Sequence, residues 1–264
     1  MKIFQEAYHL TMEQVGLEGI LNKFMEEFML KNYLLITHSV EVMAALTGLF
    51  LLNKYKKTYH RFFVYFLLCL TICDFLGGYT RYVLPDRFLN FLIGTKLEKN
   101  HWWATLFWNI GAIMFLAFYF QKILKTKIFK DIIKFGSFIF LGISTVYIFF
   151  NWDKFFNTFF PIICVLGAVI IFLCSILYFL ETLRSDKILT FYKSLNFYIS
   201  TAIFIWWLII TPIVFYDVYF EYEIGSNNRD WNFMFLRRQI YLFANILMYS
   251  TFTFALIWCK PQND

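Results

Sequence analysis

YLLITHSVEVMAALTGLFLLN, Tyr33 to Asn53, decides how the rest of the chain is read. It has the ~20 apolar residues that cross ~30 Å of hydrocarbon, and it ends against a basic run, Lys54, Lys56, Lys57 and Arg61. Yet Glu41 stands near its middle, with His38 one turn away. An ionisable side chain at bilayer depth costs about 2.5–3.5 kcal/mol on insertion scales. A neighbouring span must offset that cost, so the stretch predicts a multi-span membrane protein with a polar interior.

The totals agree. Of 264 residues, 60% are hydrophobic and 16% charged, and the mean hydropathy is +0.58. A soluble domain cannot hide that much apolar surface. The 36 phenylalanines carry little functional weight, because AT-rich coding raises Phe, Ile, Lys and Asn together. The cysteines, Cys69, Cys73, Cys164, Cys174 and Cys259, fall in or at the ends of apolar segments, where they act as small hydrophobes rather than a disulfide framework. The net charge of +6 sits in short loops beside spans and points to lipid headgroups, not nucleic acid.

Seven apolar segments are expected to span: Tyr33–Asn53, Phe62–Val83, Trp103–Leu124, Ile132–Phe150, Phe159–Leu183, Leu195–Tyr216 and Gln239–Trp258. The fold class is therefore all-α and polytopic. Residues 1–30 are interrupted by Glu6, Glu13, Glu18, Glu26 and Glu27, unlike a signal peptide. With Leu17, Leu21, Phe24 and Phe28 at helical spacing, they read as an amphipathic helix at the non-cytoplasmic surface, leading into a bundle over 31–264. Phe88–Gly94 is too short to cross and reads as an interfacial helix.

Loops after odd-numbered spans, with the tail, hold thirteen Lys and Arg against four acidic residues; the opposite side is nearly balanced. The positive-inside rule then puts the N-terminus outside and the C-terminus in the cytoplasm. The expected location is the plasma (inner) membrane of a bacterium. No internal repeat is present, and seven spans do not divide into two inverted halves, which counts against many carrier folds.

Candidate chemistry gathers on a few faces. His38, Glu41, Ala45 and Gly48 form one stripe of the first span, and Asp74, Gly77, Gly78 and Arg81 are its counterpart on the second. A short loop makes the two spans antiparallel neighbours, with Asp74 near the depth of Glu41. Two carboxylates together in low dielectric do not both stay ionised, so one is expected to carry a proton shared with the other or with His38. His38, Glu41 and Asp74 thus form a polar core or proton relay. In the outer half, Asn109, Ser200, Thr211, Asp217 and Asn245 outline a cavity that opens outward. Asn196, Ser200, Trp207 and Thr211 make one face of span six; Tyr241, Asn245 and Tyr249 make one of span seven. Pro212 removes a backbone donor and is expected to kink span six. Arg81, Arg237 and Arg238 form an anion or salt-bridge site; the last two are expected to pair with Asp217, Glu221 or Asp230.

Other chemistries find little support. No lysine precedes Lys260 in span seven, so it has no anchor for a Schiff base there, and only His38 of the four histidines lies well inside a span. No P-loop, dinucleotide fingerprint or HExxH motif occurs. His38, Glu41 and Asp74 are the one trio that could offer zinc three ligands, but the expectation is no metal and no cofactor. Three functions compete. The first is a non-enzymatic module that senses a small ligand or protons from the outer side, or supports a membrane or cytoplasmic signalling partner. The second is a proton-coupled transporter using Glu41 and Asp74. The third is an intramembrane enzyme acting on lipid.

Overall fold

The computed structural model describes residues 28, 31–185, 189–223 and 231–261. The amphipathic helix expected over residues 1–30 lies outside them, Phe28 apart. So does the loop residue Asp230, and the side chain of Glu221 is not among those described.

Among the described residues the chain is all-helical, and seven helices are each long and apolar enough to cross a membrane, as in a multi-pass membrane protein. They are α1 (Tyr33–Phe50), α2 (His60–Gly77), α3 (His101–Ile123), α4 (Lys127–Phe150), α5 (Pro161–Leu183), α6 (Leu195–Glu223) and α7 (Trp231–Trp258). All seven expected segments are helical, with shifted ends. The second span leaves α geometry at Gly78 and finishes as a 3₁₀ turn through Tyr82. The sixth runs through Pro212 as one helix.

The packing order closes a ring: α1 against α2, α2 against α3, α3 against α5, α5 against α6, α6 against α7, and α7 back against α1. Helix α4 sits outside it, against α3 and α5. Small residues set the close approaches. A Cβ on Gly48 of α1 would lie 3.1 Å from Val64 Cγ1 of α2. A Cβ on Gly167 of α5 would overlap Ile113 Cδ1 of α3.

Helix ends are satisfied by neighbours, because the last carbonyls and first amides of a helix have no partner within it. The Asn100 amide donates to Gly77 O at the end of α2 (2.8 Å), and Trp103 Nε1 donates to Cys73 O one turn earlier (2.9 Å). The Glu181 carboxylate accepts from Lys125 N (2.8 Å) and Thr126 N (2.7 Å) at the start of α4. At the basic end, Tyr55 Oη lies 2.8 Å from Leu256 O and 3.0 Å from Cys259 O. Lys54 Nζ donates to Leu256 O (3.0 Å) and Ile257 O (3.1 Å). That clamp fastens the loop after α1 to the end of α7 and closes the ring's last seam.

Phe88–Gly94 is not a surface helix. A single 3₁₀ turn, Asn90–Leu92, is all that forms. Gly94 follows with φ 77°, and its N–H donates to Glu98, so the backbone turns before a second helical turn can start.

Candidate functional site

The ring encloses a cavity of about 360 Å³, lined by six helices and not by α4. It reaches up to Tyr33, Phe159 and Tyr241 at the end farther from the basic loops and down past mid-bundle to Phe66, Leu116 and Phe252. Helical periodicity supplies its walls. From α1 come Tyr33, Thr37, His38 and Glu41; from α2, Phe66, Leu70 and Asp74; from α7, Tyr241, Asn245, Met248, Tyr249 and Phe252. Each set recurs at three- or four-residue steps, as one helix face requires.

His38, Glu41 and Asp74 meet on that wall. His38 Nδ1 lies 3.3 Å from Asp74 Oδ2 and 3.6 Å from Glu41 Oε2. One donor atom from each of the three falls within 4.8 Å of the others. Glu41 is 1% exposed, and Asp74 and His38 are half-buried. The His38 ring stacks on Phe75 at 4.8 Å between centroids, which fixes its plane. Asp74, Tyr249 and Thr71 also face the Glu41 carboxyl. Even so, Glu41 Oε1 and His38 Nδ1 make no hydrogen bond of good geometry among the described residues.

Two carboxylates and an imidazole this close can share protons, hold an organic cation or ligate a metal. For metal binding, the His38–Asp74 and His38–Glu41 separations approach the ~3.3 Å edge of a tetrahedral zinc site. The widest of the three, at up to 4.8 Å, would have to close.

The remaining residues expected on the cavity wall divide. Asn109 and Asn245 line it. Asn245 Oδ1 accepts from Trp206 Nε1 at 2.8 Å, while Asn109, 8% exposed, has an unpartnered Nδ2. Ser200, Thr211 and Asp217 are not on the wall. Ser200 is buried one turn below Ile203, the lowest α6 residue to reach the cavity. The Thr211 hydroxyl folds back onto Trp207 O of its own helix. Asp217 is taken by Arg237, whose Nε lies 2.9 and 3.0 Å from its two carboxylate oxygens. The same guanidinium covers the Tyr241 ring at 4.8 Å. Arg81 is exposed on the 3₁₀ turn after α2, where its backbone carbonyl accepts from Arg87. It does not join Arg237, and no ion pair of Arg238 occurs among the described residues.

Two features escape a reading of the sequence. One is a π-helix, Ala104–Ala112, in the upper part of α3. It turns Ala104, Trp108, Asn109 and Ala112 to the cavity, and such segments recur at functional sites. The other is the part played by Trp108 and Trp206, which complete an aromatic wall with the Trp207, Tyr241 and Tyr249 already on the expected faces. A signal for it exists: Trp206 and Trp207 fall mid-span, away from the membrane interfaces where tryptophan is usually enriched.

A comparison with known protein families, curated proteins and solved structures finds none that matches this chain.

Proposed function

We propose that this protein is a multi-pass membrane protein that binds a small molecule in its central cavity and reports occupancy to a partner through its helices. It belongs, on this reading, to the plasma (inner) membrane of a bacterium, with the N-terminus outside and the C-terminus in the cytoplasm. The observation that carries the proposal is the cavity itself. It is large enough for a small organic molecule and has mostly apolar walls, with a few convergent polar groups at one side, as ligand sites do. The buried polar atoms facing it add weight. A buried donor or acceptor without a partner costs about 1–3 kcal/mol, and a ligand satisfying Glu41 Oε1 and Asn109 Nδ2 recovers that cost. The short described loops offer no enzymatic domain, so the output runs through helix contacts or the basic face.

The test uses the protein's own reporters. Trp108, Trp206 and Trp207 line the cavity, so an occupant alters their emission. Purified protein in lipid nanodiscs, titrated with a small-molecule library, should give saturable changes in tryptophan emission with a matching rise in melting temperature. If no compound produces both, the cavity is not a ligand site.

A second reading is favoured by the His38–Glu41–Asp74 cluster: proton-coupled transport, with the two carboxylates as relay. Reconstituted vesicles under an imposed pH gradient decide it. Uptake that survives Glu41→Gln and Asp74→Asn unchanged removes that reading.

A further inference from the structure

We infer that the cavity's ligand is an organic cation: a small protonated amine on an aromatic or branched apolar body, with its ammonium group held between Glu41 and Asp74. This deepens the proposed function and rests on the cavity being a ligand site.

Charge balance comes first. The wall carries two carboxylates and one imidazole, and among the described residues no lysine or arginine lines it. The guanidinium of Arg237 is engaged by Asp217 above Tyr241. An anionic ligand would therefore meet like charge, whereas a cation meets two acceptors. Glu41 is 1% exposed, and its Oε1 lacks a well-formed hydrogen bond, so an N–H donor entering the cavity finds an acceptor already desolvated.

The walls give a second, independent reason. Trp108, Trp206, Trp207 and Tyr249 surround the same space as the acidic pair. Aromatic faces attract a cation within ~6 Å of the ring centroid, and the attraction grows when water is excluded. They also cover an apolar body. A metal ion would use the trio and leave the rest of the ~360 Å³ unaccounted for.

Asn109 supplies a third contact. Its Nδ2 is buried, unpartnered and on the cavity wall. It offers a donor to an oxygen elsewhere on the ligand. An arylalkylamine with a ring hydroxyl has this pattern of groups.

The experiment compares three probes of one shape: tyramine, its neutral counterpart tyrosol, and the acid 4-hydroxyphenylacetate. Each is titrated against the full chain in nanodiscs in an amine-free buffer, with tryptophan emission and melting temperature as readouts. A fourth arm uses Zn²⁺ alone. The expected result is saturable binding of tyramine, at least about tenfold tighter than tyrosol, with no response to the acid. Glu41→Gln and Asp74→Asn should each weaken tyramine about tenfold or more and tyrosol much less, so that the tyramine–tyrosol ratio collapses. Folding is checked by each variant's unliganded melting curve, and Asp153→Asn, on the exposed one-turn helix Trp152–Phe155, should behave as the parent. If Glu41→Gln does not fold, Asp74→Asn and the tyramine–tyrosol ratio still decide. Equal binding of tyramine and tyrosol, or variants that bind tyramine normally, overturns the amine and leaves the cavity a ligand site. Silence from every probe overturns the amine, and the library titration then decides whether the cavity is a ligand site at all. A Zn²⁺ response lost in Glu41→Gln, with tyramine silent, assigns the trio to a metal and also overturns the amine.

Discussion

Replacing Tyr55 by Phe removes one oxygen from the seam that closes the helical ring, and its cost follows from the geometry. The side chain is fully buried, and burial holds its hydroxyl well above the ordinary tyrosine range, so it remains a donor at any working pH. Its single proton lies between Leu256 O at 2.8 Å and Cys259 O at 3.0 Å. Without it, Leu256 O keeps the Lys54 ammonium, but Cys259 O loses the hydroxyl. A net hydrogen bond of ~1 kcal/mol disappears, and a buried acceptor loses a partner for up to a few kcal/mol more. Taken together, Tyr55→Phe should cost about 2 kcal/mol, or roughly 4–8 °C in melting temperature for a chain of this size.

The shared acceptor makes the prediction sharper. Lys54→Met alone should cost under ~1 kcal/mol, since Leu256 O retains Tyr55 and the Ile257 contact is exposed. The double variant strips Leu256 O of both donors, so its loss should exceed the sum of the singles by about 1 kcal/mol. Thermal unfolding of all four proteins in nanodiscs, with hydrogen exchange at the end of α7, measures the cycle. A Tyr55→Phe protein that melts with the parent, or a strictly additive cycle, would show that the clamp does not hold the ring.

Three further outcomes are expected. Arg237→Met leaves Asp217 without its partner and should destabilise by about 1–3 kcal/mol, discounted because the guanidinium is 32% exposed; adding Asp217→Asn should restore part of the loss in melting assays. Gly48→Leu drives a side chain into Val64 at the α1–α2 contact and should cost about 1–3 kcal/mol by overpacking, while tyramine binding falls as Glu41 and Asp74 move apart. Burial pushes the Cys259 thiol up to about 11. A raised acid stays neutral, so only about one thiolate in a thousand forms at pH 8, against about one in four for an ordinary thiol. Maleimide should therefore label Cys259 some hundredfold more slowly than a cysteine introduced at exposed Lys99, and equal rates would refute the shielding.

Much of this architecture is written in local pattern. The seven helices follow from segment length and hydropathy, and the meeting of Glu41 with Asp74 follows from two stripes on consecutive antiparallel helices. What involves helices far apart in sequence is not written there. Closing α7 onto α1 and expelling α4 from the ring depend on which faces pack best once all seven are present, and Gly48 and Gly167 mark only two of those contacts. Thr211 and Asp217 show a different limit. Both sit on cavity-bearing helices, but each polar group finds a nearer partner, the backbone of Trp207 or the side chain of Arg237. The aromatic-rich composition masks Trp108 and Trp206, which stand among many rings that only pack, whereas Trp207, Tyr241 and Tyr249 share faces with polar residues and could be read.

The π-helix of α3 has a mechanical consequence. Hydrogen bonds in Ala104–Ala112 span five residues where an α-helix spans four, so the segment is underwound relative to the α-helical Ile113–Ile123 below it. Each residue of that excess taken up would turn the chain above it by about 100° against the helix below. Trp108 and Asn109 ride on the stretch itself, while Tyr119, bonded to Asn196 of α6 at 2.7 Å, anchors the rod beneath. Rewinding this spring around an occupant would exchange the side chains facing the chamber, and the twist would travel along a single shaft towards the cationic rim.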